Sequence, residues 1–196
     1  MSLEDKNRWN DKYKNNPVPT KVVEVVEQYG KLATGKKALD IACGMGRNTK
    51  FLANLGFEVD ALDVSPIAIE NLQNIKNINA QEVDFDSYVL TENSYDLIIC
   101  TYFLKRELFP QIEEALKEDG IFIFETFMHH VDNTKVPSNK TFLLNEGELE
   151  ATFDERYEIM HLREFMDEGL CGEKSMRASM VAKKKRGGMN IDDFWS

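Results

Sequence analysis

The chain has 196 residues with 34 acidic and 24 basic side chains, a formal net charge of −10, and 42% hydrophobic residues. That length suits one domain with a sizeable core, and the acidic balance argues against a broad phosphate-neutralising surface, so nucleic acid is a poor partner. Cys43, Cys100 and Cys171 are odd in number and lack the paired spacing of a zinc site, so neither a disulfide framework nor a structural metal is suggested.

A reducing cytoplasm fits that cysteine usage. No uncharged apolar stretch approaches the roughly 20 residues a membrane span needs, and the amino terminus lacks a signal-peptide core. In chain order, Trp9 and Tyr13 fall four apart on an amino-terminal helix and share a face. The run Ala38, Leu39, Ile41, Ala42 reads as a strand buried on both faces, and Phe51, Leu52 and Leu55 mark the helix after it. Gly44 and Gly46 therefore sit at a strand-to-helix turn. There the first helical amides have no backbone partner, and glycine lets a ligand approach without a Cβ in the way.

Phe57 to Leu62 reads as strand two, and Pro66 opens a helix after Ser65. Ala80 to Val83 is a weaker strand three, and Tyr95 to Cys100 a strong strand four. A helix through Leu108, Ile112 and Leu116 is expected to stop near Gly120, followed by strand five over Ile121 to Thr126. Residues 128 to 142 carry no sustained period and read as a long loop of the kind that is often functional. Asn145 with Glu148 resembles a capping box. Segments 157 to 166 and 174 to 183, flanking Gly169 and Gly172, read as a hairpin, with Lys183 to Arg186 as a solvated strand end. The expected class is α/β, a doubly wound, mostly parallel seven-stranded sheet closed by an antiparallel hairpin. Residues 1–186 are expected to form one domain, with 187–196 as a frayed tail carrying Phe194 and Trp195.

The turn decides which nucleotide is expected. Gly44-Met45-Gly46-Arg47-Asn48-Thr49 has threonine where a dinucleotide fingerprint needs its third glycine, which disfavours a nicotinamide oxidoreductase. The stretch instead resembles motif I of the class I S-adenosylmethionine-dependent methyltransferases, with Asp40 as the acid ending strand one and Ala42 replacing the first glycine. Through "LDIACGMGRNT", "RWNDKYK" and "FLKRELFPQIEEALKEDG" the chain is similar to the branch that includes tellurite-resistance methyltransferases. That resemblance covers about residues 8 to 183.

The resemblance implies a Rossmann-like fold, S-adenosylmethionine as cofactor, and cofactor contacts at Tyr13, Asp40, Ala42, Gly44, Gly46, Arg47, Asn48, Asp63, Val64, Asp84, Phe85 and Cys100. Asp63 would accept from the ribose hydroxyls, Asp84 and the amide of Phe85 would read the adenine edge, and Arg47 would pair the methionine carboxylate. The amino-terminal helix would close over the cofactor as a lid. Taken singly, Asp40 also reads as a capping acid, Asp63 as an N-cap near Pro66, and Asp84 as a turn former. Tyr13, Tyr102, Arg106, His129 and His130 are candidates near the mouth. Arg106 and His129 are expected to orient a small soluble acceptor, a thiol or a chalcogen oxyanion. A cofactor-binding sensor without catalysis is the alternative of a different kind.

Overall fold

The apolar runs of the sequence become strands, and the periodic segments between them become the helices that cover the sheet. The computed structural model describes residues 3–16, 18–153, 155–169 and 171–187. Helices α1 (Leu3–Asn15) and α2 (Glu24–Tyr29) precede β1 (Lys37–Ile41), α3 (Arg47–Asn54), β2 (Glu58–Asp63), α4 (Pro66–Glu70) and β3 (Ile78–Glu82). Then follow β4 (Tyr95–Thr101), α5 (Leu108–Ala115), β5 (Leu116–Phe127), α6 (Glu148–Thr152), β6 (Tyr157–Glu168) and β7 (Lys174–Lys184).

One seven-stranded sheet has the order β3-β2-β1-β4-β5-β7-β6. β1 to β5 pair in parallel, and β7 pairs antiparallel with both β5 and β6. The expected class and closing hairpin are therefore observed. The strand order reverses between β1 and β4, and open α/β sheets bind ligands at the carboxyl end of such a switch point.

Alternation along the strands builds two cores. On one face Phe122 and Phe124 of β5 pack with Phe109 of α5 and Phe153, ring centroids 5.3–5.7 Å apart. On the other, Ile121 and Ile123 join Leu97 and Ile99 of β4, Val25 and Val26 of α2, and Leu52 of α3. All of these side chains are buried, and the burial of each contributes about 1.5–3 kcal/mol of hydrophobic stabilisation.

Two elements differ from the sequence expectation. Helix α5 ends at Ala115, not near Gly120, because Leu116 is already extended at φ −71°, ψ 133°. β5 thus begins five residues before Ile121. Its register against β4 jumps from Tyr95↔Leu116 to Leu97↔Ile121, so the Glu118-Asp119-Gly120 turn bulges out of the strand. Asp119 takes a left-handed φ of 62° there. The capping box forms by half: the Glu148 carboxylate accepts from the Asn145 amide at 2.9 Å, but Gly147 takes the cap position and no side chain caps α6.

The 128–142 segment is a loop with one 3-10 turn at Lys140–Phe142, pinned at its ends by the parallel bridge Met128↔Leu144. Among the described residues no helix is long and apolar enough to cross a membrane. Phe194 and Trp195, and all of the expected tail except Gly187, lie outside the described residues.

Candidate cofactor site at the carboxyl edge of the sheet

The loop between β1 and α3 is shaped by three left-handed residues. Ala42 has φ 55°, Gly44 φ 53° and Gly46 φ 78°. A Cβ on Gly46 would lie 2.3 Å from Cδ2 of the buried Leu72, and one on Gly44 would lie 3.0 Å from the Tyr13 hydroxyl. The two glycines are thus required on opposite grounds, core packing below and close approach above. The Gly46 carbonyl accepts from the Lys50 amide at 2.9 Å, starting the helix, while the sequence places Arg47 at its first position.

Asp63, at the end of β2, holds this loop. Its buried carboxylate accepts from the Gly44 amide at 2.8 Å and from the Ser65 amide at 2.9 Å. Burial raises its pKa, and these amides pull it back. Each carboxylate oxygen has a lone pair left over, so two acceptor positions remain for hydroxyl donors. Ser65 caps α4 by accepting from the Ala68 amide at 3.3 Å, so the N-cap is Ser65 and Asp63 is the loop clamp.

Asp40, at the end of β1, is buried and accepts from the Thr49 hydroxyl at 2.6 Å. Burial pushes its pKa up to about 7 against the pull of Thr49. It braces α3 against β1. Asn48 is likewise engaged inside the fold, accepting from the Val23 amide at 3.1 Å and donating to Thr101 Oγ1 at 3.0 Å. Arg47 is freer: among the described residues its guanidinium makes one hydrogen bond, to the Lys21 carbonyl at 3.3 Å, and lies over the Tyr102 ring at 5.2 Å.

Helix α1 lies across the loop. The Ser65 hydroxyl donates to Asn10 Oδ1 at 2.6 Å, Lys6 pairs with Glu82, and Tyr13 stacks on Trp9 at 5.6 Å. Burial, with the Asp63, Cys43 and Asp40 charges behind it, holds the Tyr13 phenol protonated well beyond its usual range.

The remaining residues divide. Val64 is buried beside Asp63, and Cys100 is buried in β4 with Sγ 3.4 Å from the Phe103 carbonyl. Phe85 is buried against Phe103 at 5.3 Å. Asp84 is exposed and accepts from the Asp86 amide at 2.9 Å, the geometry of a turn former. Arg106 has its contacts elsewhere: it grips Glu148 through Nε at 2.6 Å and Nη2 at 2.9 Å, and donates to the Thr141 and Leu143 carbonyls at 2.8 and 3.0 Å. Four of its five N–H donors are so engaged, tying the long loop to α5, and it lines a hollow of about 370 Å³ with Phe109, Glu148 and Phe153. His129 is exposed just past β5, held by its amide on the Leu144 carbonyl at 2.8 Å.

Sequence reasoning passed over Glu125 and Arg177. Tyr102, left-handed at φ 60°, donates to Glu125 Oε1 at 2.8 Å and accepts from Arg177 Nη1 at 3.0 Å. The signal available was a charged residue inside the apolar run Ile121–Phe127, since buried acids are rare unless partnered.

The chain as a whole is similar to known proteins. The family model described as "Tellurite resistance protein TehB" matches residues 1–174. Two Haemophilus influenzae proteins named "Probable S-adenosyl-L-methionine-dependent methyltransferase TehB" are 29% and 30% identical over 90% and 79% of this chain. The chain spans 66% and 59% of their lengths. The crystal structure of TehB from Haemophilus influenzae superposes with a TM-score of 0.73 at 27% identity, covering 90% of this chain and 67% of that one. The structure titled "Conversion of a Disulfide Bond into a Thioacetal Group during Echinomycin Biosynthesis" shares the fold, with a TM-score of 0.68 at 16% identity over 97% of this chain and 96% of that one.

Proposed function

The chain belongs to the TehB family and has the class I methyltransferase fold, and from that premise we propose that it transfers the methyl group of S-adenosylmethionine to a small soluble acceptor. The observation that carries this reading is the clamp of Asp63 on the Gly44 amide at the switch point of the sheet. The residues present fit the cofactor. Gly44 leaves the α1 side of the loop without a Cβ atom, Asp63 keeps two acceptor positions for the ribose hydroxyls, and Arg47 has donors for the methionine carboxylate.

When bound, the cofactor supplies an activated methyl group, so the protein needs no covalent intermediate. Its residues align the acceptor and exclude water. Tyr13, over Gly44, closes the loop from the α1 side, and Asp84 with the Phe85 amide reads the adenine. The acceptor is a soft nucleophile, a chalcogen oxyanion, which the family's description as a tellurite resistance protein supports, or a thiol, and His129 stands exposed past β5 to orient it. Arg106 acts on the acceptor only indirectly, by fixing the 139–148 segment. The buried free Cys43 and Cys100 suit a reducing cytoplasm.

Calorimetry tests the reading with S-adenosylmethionine, S-adenosylhomocysteine and NAD. The first two are expected to bind and NAD not to. Asp63→Ala is expected to weaken binding by about 1.5–3 kcal/mol, the range for a lost charge-assisted hydrogen bond. Binding of NAD alone would refute the assignment, and cofactor binding without turnover on any acceptor would favour a sensor.

A further inference from the structure

A buried acid, two arginines and a tyrosine from four separate segments converge at the carboxyl edge of the sheet, beside the first residue of α3. Tyr102 follows β4 directly, and its neighbour Thr101 is bonded to Asn48, one residue past Arg47. Alternation puts Glu125 of β5 on the same sheet face as Ile121 and Ile123, the face that α2 and α3 cover. Arg177 of β7 pairs in register with Phe127 and reaches the same point.

The geometry there is specific. Tyr102 Oη donates to Glu125 Oε1 at 2.8 Å and accepts from Arg177 Nη1 at 3.0 Å. A phenol oxygen in that arrangement has one lone pair unused. Arg47 and Arg177 both lie over the Tyr102 ring, at 5.2 and 5.1 Å, and the Phe127 ring packs against it at 5.4 Å. Arg177 is fixed in turn by Asp167 of β6 at 2.7 Å, and its Nε is buried with no hydrogen-bond partner among the described residues. Glu125 is 4% exposed, between the buried Phe124 and Thr126 of β5. Residues held at left-handed φ and charges buried at a binding edge cluster where chemistry is done.

Resting on the reading above, we propose that Tyr102 accepts the proton of a neutral thiol acceptor and passes its own to Glu125, with Arg177 positioning the phenol. The thiol sulfur forms a bond to the methyl carbon as the carbon–sulfonium bond breaks, and that electron pair stays on the departing thioether. The S–H proton moves to Tyr102 Oη while the phenol proton moves to Glu125 Oε1, so the positive charge lost from the cofactor is balanced by the negative charge lost from Glu125. Tyr102 is the catalytic residue; Glu125 and Arg177 act through it.

Every charged group around Glu125 bears on this role. Burial, assisted by Asp167, raises its pKa above the usual carboxylate range, and Tyr102, Arg177 and Arg47 restrain the rise. A carboxylate so raised is a better proton acceptor near neutrality. A chalcogen oxyanion attacks through a lone pair that carries no proton, so this couple gives it no help.

The test follows S-adenosylhomocysteine release with 2-mercaptoethanol from pH 6 to pH 9 and with selenite at pH 9, in wild type, Tyr102→Phe and Glu125→Gln, with cofactor affinity measured by calorimetry. Both variants are expected to lower kcat with the thiol about 100-fold at pH 7, and the deficit is expected to shrink as the thiol ionises unaided. Cofactor Kd and the selenite rate are expected to stay within about twofold, since general acid–base help is missing from both. Equal losses on both acceptors, a pH-independent deficit, loss of cofactor binding in both variants, or unchanged thiol rates would overturn the inference. A wild type that binds the cofactor but leaves the thiol unmethylated overturns the inference alone; one that binds no cofactor overturns the proposed function itself.

Discussion

Exchanging the residue types at the two ends of the β1–α3 loop should change stability in opposite directions. In Gly46→Ala the new Cβ enters a left-handed position at φ 78°, which costs about 1–2 kcal/mol for an L-residue. It also meets Leu72 Cδ2 at 2.3 Å and Cγ at 3.0 Å. Leu72 is fully buried among Cys43, Ala61 and Ile69, so it cannot swing aside, and overpacking of this kind costs about 1–3 kcal/mol. Stiffening of the unfolded chain returns about 0.4–1 kcal/mol, leaving a net loss of about 3 kcal/mol. For a chain of this length that lowers Tm by about 6–12 °C. Ala42→Gly relieves the same backbone strain at φ 55° and loses a half-buried methyl, so its net effect lies between about zero and 1 kcal/mol of stabilisation. Urea unfolding of the three proteins measures both changes. A Gly46→Ala midpoint equal to wild type, or an Ala42→Gly loss above about 1 kcal/mol, would refute the account of this loop.

Asp40 should make stability fall as pH rises. Its folded pKa of about 7 lies above the 3.8 of the free side chain, so the folded state holds the proton more tightly between those values, and stability declines from about pH 4 to about pH 7. A shift of that size corresponds to about 4 kcal/mol, and Asp40→Asn, which keeps an acceptor for Thr49, should flatten that limb when urea midpoints at pH 5 and pH 8 are compared. Identical slopes in both proteins would remove Asp40 from this role. Arg106→Ala takes the guanidinium from Glu148, which keeps only its Asn145 donors, and from two carbonyls, and should destabilise by about 2–3 kcal/mol while speeding proteolysis within residues 128–144. An unchanged cleavage rate would mean that the Met128↔Leu144 bridge alone holds the loop.

Much of the fold was legible because its signals are local. Buried runs such as Leu97 to Cys100, the Ser65-Pro66 helix start, and the glycines of the β1–α3 turn report their conformation through residue types a few positions apart. The same locality misplaced the end of α5. The helical period of Leu108, Ile112 and Leu116 continues into a residue whose backbone is held extended by pairing with Tyr95 on β4, a partner invisible to the period.

By itself, the sequence determined the order of strands and helices, the turn chemistry at Gly44 and Gly46, and the family to which both belong. Only the tertiary structure decided what each side chain faces. It turned Asp40 and Asn48 inward onto Thr49, Val23 and Thr101, and it closed Arg106 onto Glu148, 42 residues away. It also gathered Glu125, Asp167 and Arg177 from three strands, and Tyr102 from the residue after β4, onto one face. The reason is physical: backbone conformation follows mainly from neighbours in the chain, whereas a charge finds its partner through strand register, and register is fixed only when the whole sheet assembles.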